Sequence, residues 1–236
     1  MDRKLKQALA EAYRVPAPER KAAFLKRHRR RELGRWELAA VQAGYIRWWV
    51  WGLSLGVFGA ILWAAGQPYR TGLLCAAALT PFLALLAVAE SGRARFYHMD
   101  ELELACRVPW ASVLLARMLV LGLFHLTLLG MLTPTLAEWG AVGTARAAGA
   151  YLLTPYLLTA ALGMELTRRF RGREGLLACG GGAVLVSAMG TMAAYQRPEL
   201  YRPEGLSLWG LALAASILAA GVEIMLSLKE RELQWN

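Results

Sequence analysis

Metal or nucleophilic chemistry would first be sought among the histidines, cysteines and acids of this 236-residue chain. There are three histidines, His28, His98 and His125, and no two share the H-E-x-x-H spacing that sets two imidazoles and a glutamate base on one helical face. His98 has Asp100 and Glu101 close by but no second histidine. Cys75, Cys106 and Cys179 lie far apart with no paired or metal-type spacing, so they read as small apolar fillers. Ser187 and Ser216 lack a neighbouring histidine for activation. The Gly180–Gly182 run has no Gly-Lys pair beside it, so close helix packing explains it better than phosphate binding. Neither a catalytic residue nor a metal site is expected, and no cofactor is expected in this chain.

Two other residues stand out because of what surrounds them. His125 and Glu223 are ionisable groups inside long apolar runs, where such groups are costly and mark function or a specific partner. Six runs reach the roughly 20 apolar residues that a helix needs to cross about 30 Å of hydrocarbon. They cover about residues 46–65, 71–90, 117–137, 147–164, 175–195 and 206–228. The fourth is short and carries Pro155, which is expected to interrupt it; Pro81 and Pro134 also fall inside spans. At 1.5 Å per residue Glu223 lies about 9 Å inside the boundary set by Lys229, and His125 about 12 Å beyond Arg117. An arginine such as Arg117 or Arg173 is the expected partner of Glu223, and a hydrogen-bonded packing role is the expectation for His125. Glu90 and Glu165, at span ends, are expected to be solvated or paired.

Composition agrees with the membrane class: 57% of the residues are hydrophobic, 19% charged, and the mean hydropathy is +0.36. The net charge of +10 is not a nucleic-acid signature, because 13 of the 27 Lys and Arg precede residue 48. With the N-terminus inside, 23 basic residues fall on inside segments and four outside, namely Arg70, Arg146, Arg197 and Arg202. That asymmetry predicts both termini in the cytoplasm of a bacterial-type plasma membrane. The expected fold is all-α: a polytopic membrane protein of six transmembrane helices. Residues 1–45 form a basic, amphipathic helical region, 46–228 the spans with a cytoplasmic loop at 91–117, and 229–236 a tail. No cleavable leader is expected, since the first apolar run begins near residue 45 and is long enough to span.

In the first region, six Lys or Arg lie between Lys26 and Arg35, and Arg29, Arg30 and Arg31 are expected to meet anionic membrane lipid at about 1 kcal/mol each. A docked protein partner is the alternative use of this run. Leu33, Trp36, Ala40 and Gly44 then make a weakly apolar stripe leading into "YIRWWVW", whose Tyr45, Trp48 and Trp49 suit an interface. The expectation is an interfacial helix that turns into the first span.

The segment "FYHMDELELACRVPWASVLLARMLV" joins spans two and three through a loop of about 27 residues, far more than a crossing requires. Its core, "ELELACRVPWASVLLARM", resembles the first cytoplasmic loop of ABC-2 type transporter permeases. The matching positions are Glu101, Leu102, Glu103 and Leu104, then Pro109, Ser112 and Arg117. The entry at 33–45 resembles that family's interfacial helix, and the long basic extension before it departs from the pattern. The resemblance implies a permease subunit whose loop, through Glu101, Leu102, Glu103, Leu104, Arg107 and Pro109, contacts a separate ATPase subunit. ATP and Mg²⁺ would then be bound by that partner. A second permease chain, identical or different, is also implied. Small and aromatic residues without a charged cavity suggest lipid-like or peptide cargo, exported. A membrane regulator docking a soluble partner through its basic N-terminal region is the alternative.

Overall fold

The computed structural model describes residues 34–67, 71–93, 110–139, 144–170, 172–201 and 205–232. Seven α-helices make up almost all of them: α1 Arg35–Tyr45, α2 Trp48–Ala65, α3 Thr71–Ser91, α4 Trp110–Trp139, α5 Ala145–Arg169, α6 Gly172–Gln196 and α7 Leu206–Glu232. A 3₁₀ turn, Pro198–Tyr201, follows α6. Helices α2 to α7 are each long and apolar enough to cross a membrane, which marks the chain as a multi-pass membrane protein. Arg29, Arg30 and Arg31 lie outside the described residues, as do all six expected ATPase-contact residues, Glu101, Leu102, Glu103, Leu104, Arg107 and Pro109.

Helix α5 is the hub. It packs on α3, α4, α6 and α7, and 67% of its apolar window is buried, against 11% for α7. Small residues let the chain come close where connections are short. At Gly72 a Cβ would stand 2.5 Å from the Ala65 Cα, so only glycine fits the tight passage from α2 into α3. Gly172, with φ 62°, takes the left-handed conformation at the start of α6. Ala147, Ala148, Leu152 and Tyr156 of α5 join Leu83 of α3 and Leu129, Leu132 and Leu136 of α4 in the main core.

The three intramembrane prolines do not break their helices, so the expected interruption at Pro155 is corrected: α5 runs unbroken from Ala145 to Arg169. A proline lacks the N–H that would serve the carbonyl four residues back, and spans tolerate one where other groups take up the freed backbone. Pro134 frees the Gly130 carbonyl, and the Thr133 hydroxyl donates to it at 2.8 Å. Pro81 frees the Ala77 carbonyl. There α6 lends support: Ser187 donates to the adjoining Ala78 carbonyl at 2.8 Å, and Gly190 leaves room beside the Ala77 oxygen. Around Pro155, Thr154 donates to the Ala150 carbonyl and Thr159 to the Pro155 carbonyl, both at 2.7 Å.

Candidate functional site

Two polar constellations interrupt the apolar bundle. The first is centred on His125. It is fully buried on α4, near the middle of the apolar stretch Val113–Glu138. That stretch opens at Val113, four residues before the expected edge of the span near 117. The Nε2 of His125 lies 2.9 Å from the Ser54 hydroxyl on α2, and its Nδ1 lies 3.2 Å from the Tyr156 hydroxyl on α5. Ser54 gives its one hydrogen to the Val50 carbonyl at 2.9 Å. Its oxygen must therefore accept from the imidazole, which puts the proton on Nε2 and leaves Nδ1 to accept from Tyr156. The result is a one-way chain, Tyr156 to His125 to Ser54 to the Val50 carbonyl. A neutral imidazole satisfies every member, as a dry interior requires. The rings assist: Tyr156 meets His125 edge-on with centroids 5.8 Å apart, and Phe124 beside it meets Trp51 at 4.7 Å.

The second constellation is ionic and lies where α3, α5 and α7 end and α4 begins. Glu165 binds Arg168 and Arg169 on its own helix, and Arg168 also reaches Glu223 of α7 at 3.4 Å. Glu223 thus meets an arginine, as expected, through Arg168 of α5, along which α7 packs. Glu90 pairs with Arg93 at 2.9 Å. At the same end the Arg117 Nε–H donates to the Gln42 side chain at 2.9 Å, tying α1 to the first turns of α4. On α1, Gln42 is buried and so is Ile46 just beyond the helix, whereas Trp36, Val41 and Tyr45 are exposed.

The opposite end of the bundle is aromatic rather than ionic. Tyr151, Tyr201 and Trp209 form a triangle with every centroid pair 5.1 Å apart. The Tyr201 hydroxyl donates to the Gly190 carbonyl at 3.2 Å, and Trp209 Nε1 to the Leu200 carbonyl at 2.9 Å, which clamps the turn between α6 and α7. Burial, with a smaller contribution from Tyr151, pushes the Tyr201 phenol up to about 12, so it stays a donor.

Sequence reasoning singled out His125 and Glu223 but not what meets them. Ser54 could have been found, since it is the one hydroxyl residue in "WWVWGLSLGVFGAILWAA". Tyr156 and Arg168 carried no such signal, because each lies among other candidates of its type. Among the described residues no three His, Cys, Asp or Glu side chains converge as a metal site would need. Outside the two constellations, Cys179 is buried with its thiol directed at the Gly163 carbonyl at 3.5 Å, and Ser187 serves the Ala78 carbonyl. What the arrangement can do is hold helices in register at two depths. No family model, curated protein or solved structure matches the chain.

Proposed function

We propose that this chain is the permease subunit of an ABC-2-like transporter, with both termini cytoplasmic and a separate ATPase supplying the energy. The observation that supports it most is the Gln42–Arg117 contact. It brings α1 to the same end of the bundle as the last turn of α3 and the first of α4, between which the acidic loop runs. An interfacial helix and a loop able to touch a partner would then share one face, as a subunit driven from that face needs. The ionic constellation borders the same face, where Arg168 and Glu223 tie α5 to α7.

On this reading α1 lies on the membrane, with Trp36, Tyr45 and Trp48 exposed to the interface. The basic segment holding Arg29, Arg30 and Arg31 meets anionic lipid, and a second permease chain completes the pathway. The cargo is lipid-like or a peptide, exported, and the chain itself binds neither ATP nor nucleic acid. The test is to express the Glu101→Lys, Glu103→Lys double variant with an ATPase encoded beside this chain. Reversed charge at an interface costs several kcal/mol, whereas on a free loop it costs within about 0.5 kcal/mol. Normal insertion with lost copurification or altered ATP hydrolysis is the expected outcome. Normal insertion, copurification and hydrolysis together would overturn the reading. A partner captured only through residues 1–35 would favour a membrane regulator instead.

A further inference from the structure

Helix α6 packs through one side only. Ser187 and Gly190 meet α3 there, Gly182 lies against Leu162 and Leu166 of α5, and Ala183, Val186 and Ala194 are buried. The rest of the helix is bare, with 17% of its apolar window buried. At about 3.6 residues per turn, Leu177, Gly181, Val184, Ala188, Thr191 and Tyr195 form a stripe opposite the packed side. All of them but Thr191 are exposed. Lipid would accept any apolar stripe, yet this one is small at its middle. Glycine is a poor helix former, and nothing lies within 4 Å of where a Gly181 Cβ would stand. Packing within this chain therefore does not account for it. Small residues on a bare face are what let a second spanning helix come close.

Charge says which helix that is. Arg173 and Glu174 open α6 one turn before Leu177, both exposed, and among the described residues no ion pair engages either. They stand about 100° apart around the helix, on opposite flanks of the stripe. A two-fold rotation about an axis beside the stripe sets the Arg173 flank of one helix against the Glu174 flank of the other, and does so twice. The face is therefore complementary to itself, as a contact between identical chains must be. An anionic lipid headgroup would satisfy the arginine and repel the glutamate. The bare glycines of α2, Gly52, Gly56 and Gly59, have no such charged pair beside them. We propose that a second copy of this chain packs on α6, the two helices parallel about a two-fold axis along the membrane normal. Arg173 of each copy then pairs with Glu174 of the partner subunit, and Gly181 and Ala188 mark the closest approach. The second permease chain is thereby an identical one, and the pairing rests on the transporter reading only for what the pair does.

The experiment dilutes the full chain into liposomes of mixed phosphatidylethanolamine and phosphatidylglycerol and reads the dimer fraction by single-molecule photobleaching. A dimer that persists on dilution is expected. Gly181→Leu should weaken it about tenfold or more by overpacking the closest approach, while each chain keeps its fold because the new side chain starts in open space. Arg173→Glu, which sets like charges opposite each other, should weaken it about three- to tenfold, and adding Glu174→Arg should restore it. That restoration is a result which neither lipid contact nor a folding defect would give. In a background lacking the three native cysteines, Val184→Cys should cross-link to its own copy on oxidation. Leu218→Cys on α7 should not, although Leu218 is the more exposed of the two. A chain monomeric at every dilution, a dimer indifferent to these variants, or cross-linking through Leu218→Cys instead would overturn the proposal. Should Gly181→Leu fail to insert, the charge swap still decides. A monomer that still recruits the ATPase would overturn this pairing and leave the transporter reading standing, and a persistent dimer that recruits none does the reverse.

Discussion

Helix α5 is gripped twice, and the two grips differ in kind. At its middle, Tyr156 enters a chain of neutral hydrogen bonds in which each hydrogen has one destination. Three turns further on, Glu165 and Arg168 join Arg169 and Glu223 in a cluster where charges are shared. The neutral chain is directional: it fixes the tautomer of His125 and the rotation of α2, α4 and α5 about their axes, at little electrostatic cost. The ionic cluster is not directional, and its members are part-exposed, with 20% and 14% of the Arg168 and Glu223 side chains accessible. The first kind of grip specifies geometry. The second holds against separation, and it costs more to break halfway, because a stripped charge at the edge of an apolar bundle has no cheap alternative.

The contrast can be broken most sharply at Arg168. Arg168→Met should destabilise the folded chain by about 3 kcal/mol, at the lower end for a broken buried pair because the site is part-exposed. Adding Glu223→Gln should recover most of that loss. Equilibrium unfolding in mixed micelles measures both, and an unimproved double variant would mean that α5 and α7 are held by packing alone.

The neutral chain should yield less. His125→Leu leaves the Tyr156 hydroxyl buried without an acceptor and should cost about 2 kcal/mol. Two isosteres sharpen the assignment of the proton. Gln carries an amide nitrogen where Nε2 stands and keeps the bond to Ser54, while Asn carries an oxygen where Nδ1 stands and keeps the bond from Tyr156. Each should restore about half the loss, and Tyr156→Phe should abolish the advantage of Asn but not that of Gln. If Gln and Asn respond alike to Tyr156→Phe, the direction of the chain is wrong. Tyr156→Phe alone should cost about 0.6 kcal/mol, the average for a bond between spanning helices.

The smallest effect is expected at the aromatic end. The Tyr201 phenol is raised by burial, so between an ordinary tyrosine value near 10 and about 12 the unfolded chain holds fewer protons than the folded one. Stability should fall as pH rises through that window and be flat below it. Tyrosinate absorbance in an alkaline titration should show a late phase that is missing in Tyr201→Phe.

The spans were legible in the sequence because their signal is one-dimensional: about 20 apolar residues in a row need no knowledge of neighbours. Even there the edge of the third span was set near residue 117, whereas the apolar stretch opens at Val113, since "WASVLLARM" mixes polar residues into it. Glu223 and His125 were legible as residues with something to explain. Their partners were not, because a partner depends on how each helix is rotated and which helices touch. Glu223 could be assigned to an arginine but not to Arg168 until α7 was seen along α5. Pro155 was misjudged for the opposite reason: a helix-breaker was visible, while the hydroxyls of Thr154 and Thr159 that line its turn were not weighed.

The prolines of α3 and α4 also differ in when they can be satisfied during synthesis. Thr133 adjoins Pro134, so α4 leaves the ribosome with its remedy already in place. Beside Pro81, the Ala78 carbonyl waits for the hydroxyl of Ser187, 109 residues downstream. At roughly 5–20 residues per second that delay is roughly 5–20 s. For that interval α3 sits in the bilayer without the hydroxyl that α6 later brings to it. A nascent chain arrested after α5 should therefore show faster amide exchange at Phe82, whose N–H shares the Ala78 carbonyl, than one arrested after α6, and Ser187→Ala should reduce the difference.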